Sequence, residues 1–93
     1  MGENYKGRLC IATGAARGIG KACAVKFAEY GADVIMVDIN KDVLEKSAAE
    51  VAEKYGVKTY AYAVDVSKLE ECEKFFADVN TKIGVVDVLA NCA

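Results

Sequence analysis

The chain alternates between short unbroken apolar runs and longer stretches in which apolar residues recur at three- and four-residue steps. The runs occupy 9–12, 34–37, 59–64 and 85–90. They are too continuous for strands with one wet face and match strands covered on both faces. Between them the spacing predicts helices. Ile19, Ala22, Cys23, Phe27 and Tyr30 form one stripe over 18–30. Leu44, Ala48, Val51, Ala52 and Tyr55 form a second over 41–55. Leu69, Cys72, Phe75, Phe76, Val79 and Ile83 form a third over 68–83.

The punctuation agrees with this reading. Gly31, Gly56 and Gly84 each follow a helical stretch, where a left-handed cap is wanted. Asn40 is placed to cap the second helix. Ser67 and Glu70 form a capping box at the third, the serine capping and the glutamate reaching back. The chain has no proline and no low-complexity stretch or linker.

The predicted order is therefore β-α-β-α-β-α-β. Strict alternation with short connections implies an α/β fold with parallel strands and right-handed crossovers. It corresponds to the first half, plus one strand, of a Rossmann-like doubly wound parallel sheet. The same periodicity suits a flavodoxin-like receiver domain, so the loops must decide.

The first loop reads "TGAARGIG" at 13–20, between the first strand and the first helix. A helix N-terminus offers unpaired N–H groups and a partial positive charge, and an anion there needs close backbone approach. Gly14 permits the turn out of the strand. Gly18 and Gly20 together permit the backbone to approach a diphosphate and the helix to pack near the strand. Thr13 is placed to fix the turn through its hydroxyl. The mononucleotide loop G-x-x-x-x-G-K-[ST] does not fit, because Ala15 replaces its first glycine and Ala22 its hydroxyl. The spacing G-x-G-x-x-G/A starts only at Gly18 and ends on Cys23. A receiver needs acidic residues just after strand one to hold magnesium, where this chain has Thr13 and Gly14.

Asp38 ends the second run, 18 positions after Gly20. A carboxylate at the tip of strand two accepts both ribose hydroxyls of an adenosine and repels a 2′-phosphate. This places NAD ahead of NADP, with Ile39 and Asn40 adding no cation. Arg17 in the glycine loop pulls the other way, since a guanidinium pairs with a 2′-phosphate. Asp65 ends the third strand, placed to accept the adenine amino group with Val66 against the ring. Glu45, Glu50 and Glu53 read as solvated helix surface.

Composition narrows the function classes. Ninety-three residues make one small domain, taken as 1–93. The net charge is −2 with both signs scattered, and no basic block points to nucleic acid or an anionic membrane. No apolar run nears the ~20 residues of a membrane span. "MGENYKGR" at the start has no hydrophobic signal core, so the expected compartment is the cytoplasm. Cys10, Cys23, Cys72 and Cys92 include no C-x-x-C pair, and there is no histidine. They read as small buried hydrophobes rather than metal or redox groups.

Taken together, "TGAARGIG", the "VD" ending strand two, the "DV" after strand three and the terminal "LANCA" resemble the short-chain dehydrogenase/reductase family. The resemblance spans essentially the whole chain. The family's Asn-Asn-Ala-Gly motif aligns with Asn91, Cys92 and Ala93, Cys92 standing where the second asparagine belongs. The resemblance implies that Asn91 braces the central strand and that Ala93 lines the cofactor's ribose. With Gly14, Arg17, Gly18, Ile19, Gly20, Asp38, Ile39, Asp65 and Val66, they form the expected cofactor site. It further implies that the full-length enzyme transfers hydride between a nicotinamide and a small-molecule alcohol or ketone. The family's chemistry uses a serine and a Tyr-x-x-x-Lys pair, and no tyrosine here has a lysine four residues on. The chain alone is therefore expected to be inactive, with no catalytic residue and no metal. Ending at Ala93 would leave the last strand's edge uncovered and favour self-association. Two other readings are a non-catalytic dinucleotide-binding module and a self-assembling fragment.

Overall fold

A computed structural model describes residues 5–90. Its elements are β1 (Leu9–Thr13), α1 (Gly18–Glu29), β2 (Asp33–Asp38), α2 (Lys41–Tyr55), β3 (Thr59–Ala63), α3 (Leu69–Lys82) and β4 (Val88–Ala90). All strand pairs are parallel, in the order β3-β2-β1-β4. β1 pairs with β2 from Leu9↔Asp33 to Thr13↔Val37, and with β4 from Cys10↔Val88 to Ala12↔Ala90.

The alternation of strand side chains divides the core in two. Ala12, Val34 and Met36 pack with Ala24 and Ala28 of α1 and with Leu44, Ala48 and Val51 of α2. Leu9, Ile11, Ile35 and Val37 face the other way and pack with Phe75 and Val79 of α3. The continuous apolar runs of β1 and β2 thus reflect burial on both faces.

The outer strands depart from the expected pattern. β3 is half-exposed along its length because it forms one edge of the sheet. β4 is shorter than its apolar run. Val85 is 82% exposed, and the strand begins only at Val88. Just before it, Asp87 Oδ2 accepts the Leu9 N–H at 2.9 Å and the Asp87 N–H donates to the Leu9 carbonyl at 2.8 Å. These bonds align β4 with β1.

The caps are mixed. Asn40 Oδ1 accepts the Val43 N–H at 3.3 Å, and Gly56 closes α2 at φ 68°. The capping box at Ser67 and Glu70 does not form. Lys68 is the N-cap of α3, without a side-chain cap. Asp65 Oδ1 instead takes both the Ser67 N–H at 3.0 Å and the Ser67 hydroxyl at 2.6 Å. An ionised carboxylate is the stronger local acceptor and draws the serine into an Asx turn. Glu71, not Glu70, reaches back, accepting the Asp65 N–H at 3.0 Å. Of the cysteines, Cys10 is buried while Cys23 and Cys72 are only partly so. Cys92 lies outside the described residues.

Candidate functional site

The chain first builds the sheet outward from β1 through β2 to β3, then crosses to the other side of β1 to add β4. The crevice at the carboxyl ends of the strands, next to this reversal, is where open α/β sheets bind ligands. The glycine loop leaves β1 at that point.

Its glycines divide the work more sharply than their spacing implies. Gly14 and Gly18 both have φ 64°, in the left-handed region where a Cβ is strained. Gly20 has an ordinary backbone, but a Cβ there would overlap the Gly14 carbonyl and press on that of Thr13. Gly20 is therefore required by the packing of α1 against the turn. At Gly18 a Cβ would meet nothing within 4 Å, so open space lies over the backbone. Open backbone is thus found at Gly18 and tight packing at Gly20.

The start of α1 is bare. Arg17, its N-cap, provides no side-chain cap, and the first turn carries no acidic residue. The first N–H groups of a helix have no partner within the helix itself. Ile19 is 77% exposed, although its spacing would place it on the packed stripe. Residues 17–19 are all exposed. Thr13 is buried, and its hydroxyl donates to the Ala90 carbonyl at 3.4 Å, tying the loop's start to β4.

Asp38 stands at the end of β2, facing this loop. Its Oδ2 accepts the Ala16 N–H at 3.0 Å. Its Oδ1 accepts the N–H groups of Ile39 at 2.7 Å and Asn40 at 3.2 Å. The carboxylate is thus fixed by three backbone donors while remaining partly exposed. Next to it, the Ala15 N–H donates to the Val37 carbonyl at 2.9 Å.

Gly14, Val37, Asp38, Ile39, Val64, Asp65 and Val66 line one cleft of about 240 Å³. That is below the roughly 300–1,000 Å³ of a whole small-molecule site, so the cleft suits part of a ligand. Its walls are the ends of β1, β2 and β3, and the Val64 N–H donates to the Asp38 carbonyl at 3.0 Å to join two of them. The Ser67 hydroxyl and N–H hold the Asp65 carboxyl below the usual carboxylate range, with Lys68 adding to the effect. Asp65 is therefore an acceptor at neutral pH. Val66 and Ile39 are 42% and 69% exposed, apolar surfaces on the cleft's rim.

The structure thus gathers Gly14, Asp38, Ile39, Asp65 and Val66 around one cleft, with Arg17, Gly18 and Ile19 on the adjoining loop and helix start. Gly20 sits beneath as a packing residue. Asn91 and Ala93 lie outside the described residues. One participant was not singled out from sequence. Ser47 of α2 is buried, and its hydroxyl donates to the Ala16 carbonyl at 2.8 Å. Its signal was a polar residue on the apolar stripe of Leu44, Ala48 and Val51.

A family model described as short chain dehydrogenase matches residues 8–93. The chain belongs to the short-chain dehydrogenase family. Its relatives in this family include an NADP-dependent mannitol dehydrogenase of Alternaria alternata, 45% identical over 88 residues. That match covers 91% of this chain and 33% of the relative. An NAD-dependent glycerol dehydrogenase of Listeria innocua serovar 6a is 40% identical over 90 residues, covering 97% of this chain and 34% of the relative. Among solved structures, L-sorbose reductase from Gluconobacter frateurii, complexed with NADPH and L-sorbose, superimposes with a TM-score of 0.93 at 34% identity. It covers 100% of this chain and 35% of the reductase. This short-chain dehydrogenase chain thus spans about a third of the length of such relatives.

Proposed function

We propose that residues 1–93 are the dinucleotide-binding part of an NAD-dependent oxidoreductase acting on a small-molecule alcohol or ketone. The observation that carries this reading is the uncapped start of α1 beside a cleft edged by a fixed carboxylate. The open backbone at Gly18 fits an approaching diphosphate, and the first amides of α1 would hold it. Asp38 would accept the adenosine ribose hydroxyls. Asp65 would accept the adenine amino group, with Val66 and Ile39 against the ring. By resemblance, Asn91 would brace the central strand and Ala93 would line the cofactor's ribose.

When bound, the nicotinamide supplies or accepts the hydride. This chain's part is to bind, to orient and to select the cofactor. No residue of this chain is assigned a proton transfer, since these 93 residues hold no Tyr-x-x-x-Lys pair. Support for NAD comes from Asp38, whose charge disfavours a 2′-phosphate at the same edge. The relatives include enzymes of both cofactor types, and Arg17 in the glycine loop is a countervailing charge.

The test is calorimetric titration of the full-length protein with NAD and NADP, followed by turnover with short alcohols and polyols. Tighter binding of NAD with alcohol-dependent reduction supports the reading. Binding without turnover on any alcohol or ketone supports a non-catalytic dinucleotide module instead. An absence of dinucleotide binding overturns the proposal.

A further inference from the structure

Ser47 is the one buried hydroxyl on the inner stripe of α2, with 3% of its surface exposed. Leu44, Ala48 and Val51 around it belong to the apolar core. A hydroxyl in such a place must find a partner. It finds one 31 residues away, the Ala16 carbonyl in the glycine loop.

Ala15 and Ala16 are therefore held at three points, all from outside the loop. Their N–H groups donate to the Val37 carbonyl and to Asp38 Oδ2, and the Ala16 carbonyl accepts from Ser47. Both alanines are buried. The peptide bonds of the described residues are all trans. In a trans peptide the carbonyl and the following N–H point in opposite directions. Fixing the Ala16 carbonyl on Ser47 thus aims the Arg17 N–H away from α2. Arg17 is the N-cap of α1, so this peptide plane sets the direction from which the helix's first amides open.

We propose that Ser47 is a positioning residue for the cofactor's diphosphate, acting by locking the Ala16–Arg17 peptide of the glycine loop. This rests on the reading of α1's N-terminus as the diphosphate site. Ser47 touches no ligand itself. Its effect belongs to ground-state cofactor binding, not to the hydride step.

The test uses Ser47→Ala in the full-length protein, with Thr59→Val as the control. The Thr59 hydroxyl donates to the Ala48 carbonyl of the same helix at 2.9 Å, away from the loop. Loss of one such bond corresponds to about a fivefold change in an equilibrium. Ser47→Ala is expected to raise the dinucleotide Kd about fivefold, to leave kcat at saturating cofactor unchanged, and to speed amide exchange at Ala16 and Arg17. Thr59→Val is expected to lower stability comparably and leave Kd unchanged. An unaltered Kd in Ser47→Ala, or an equal rise in Thr59→Val, overturns the proposal. If Ser47→Ala does not fold, Ser47→Cys keeps the shape, slightly enlarged, with a weak donor and is read the same way. Unmutated protein that binds no dinucleotide defeats the functional reading. Unchanged exchange at Ala16 and Arg17 in the variant defeats the lock itself.

Discussion

Gly20 lies so close beneath Gly14 that a single added carbon on it would occupy the space of the Gly14 carbonyl. Helix α1 is thereby seated directly on the turn that leaves β1. Gly18, two residues earlier, has open space above it and is constrained by its φ of 64° instead. Two glycines of one motif are thus required for different reasons, and their substitutions should differ.

Gly20→Ala is expected to cost about 1–3 kcal/mol by forcing backbone apart in a packed region. It should also displace the loop and weaken cofactor binding. Gly18→Ala should cost about 1 kcal/mol from left-handed strain alone, with no clash to relieve. Urea melts of both variants check the ranking. A Gly20→Ala protein no less stable than Gly18→Ala would contradict the packing role.

The same loop shows where the sequence was readable. The seven elements and their order follow from periodicity, because buried strands and amphipathic helices leave different repeats. Asp38, Asp65 and the glycines follow from a strand-loop-helix context with few physical solutions. Other details depended on competition between neighbours. Ser67 is a good cap by type, yet Asp65 two residues earlier claims its hydroxyl. Val85 is apolar but precedes the point where Asp87 engages Leu9 and pairing begins. The partner of Ser47 lies 31 residues away, a relationship that spacing along a helix does not encode.

The hydroxyl of Tyr62 on β3 donates to Asp78 Oδ2 of α3 at 2.6 Å, and Lys82 Nζ lies 3.0 Å from the same carboxylate. The hydrogen bond to Asp78, aided by burial, pushes the Tyr62 hydroxyl up to about 12. An unfolded tyrosine ionises near about 10. The folded value is the higher one, so this contribution is fully present below about pH 10 and is lost as pH rises through about 12. Asp78 is held below the usual carboxylate range, first by Tyr62 and then by Lys82. Its contribution is present above the ordinary carboxylate range and is lost on acidification through its lowered value. Tyr62→Phe should cost about 1 kcal/mol at neutral pH. Urea midpoints measured from neutral pH into the alkaline range should fall less steeply for the variant than for the parent. Parallel curves would exclude the coupling.

Cys10, in the middle of the sheet, should be the slowest of the three described cysteines to react with a thiol reagent. Burial, with the Asp87 charge second and Arg8 opposing, pushes its thiol up to about 11. The thiolate is the reactive form and is scarce at about pH 8 for such a group. Because the folded value is raised, stability from the protonated thiol is complete below the ordinary value of about 8.5 and is lost as pH rises through about 11. Mass spectrometry after timed maleimide labelling should show Cys10 modified only once urea unfolds the chain. Labelling of Cys10 at the rate of the partly exposed Cys72 in native buffer would show that the sheet opens locally.

Asp38 holds the glycine loop through the Ala16 N–H, and on the proposed reading it also selects the cofactor, so the two must be separated by substitution. Asp38→Asn keeps one oxygen for the Ala16 N–H, loses the acceptor for the Ile39 and Asn40 N–H groups, and removes the charge. It should cost some stability but keep the fold, and on the proposed reading it should shift the balance of binding toward NADP, since a 2′-phosphate no longer meets a negative group. Asp38→Ala removes the acceptor too, and hydrogen bonds to a charged group are worth about 1.5–3 kcal/mol. That variant should lose stability as well as discrimination, because the Ala16 amide is left without its carboxylate. Arg17→Ala should weaken whatever NADP binding exists and spare NAD, if the guanidinium is what a 2′-phosphate would meet. Parallel titrations with both dinucleotides separate the cases. A parent protein that prefers NADP, with Asp38→Asn leaving that preference unaltered, would remove Asp38 from cofactor selection and leave it only the task of holding the loop.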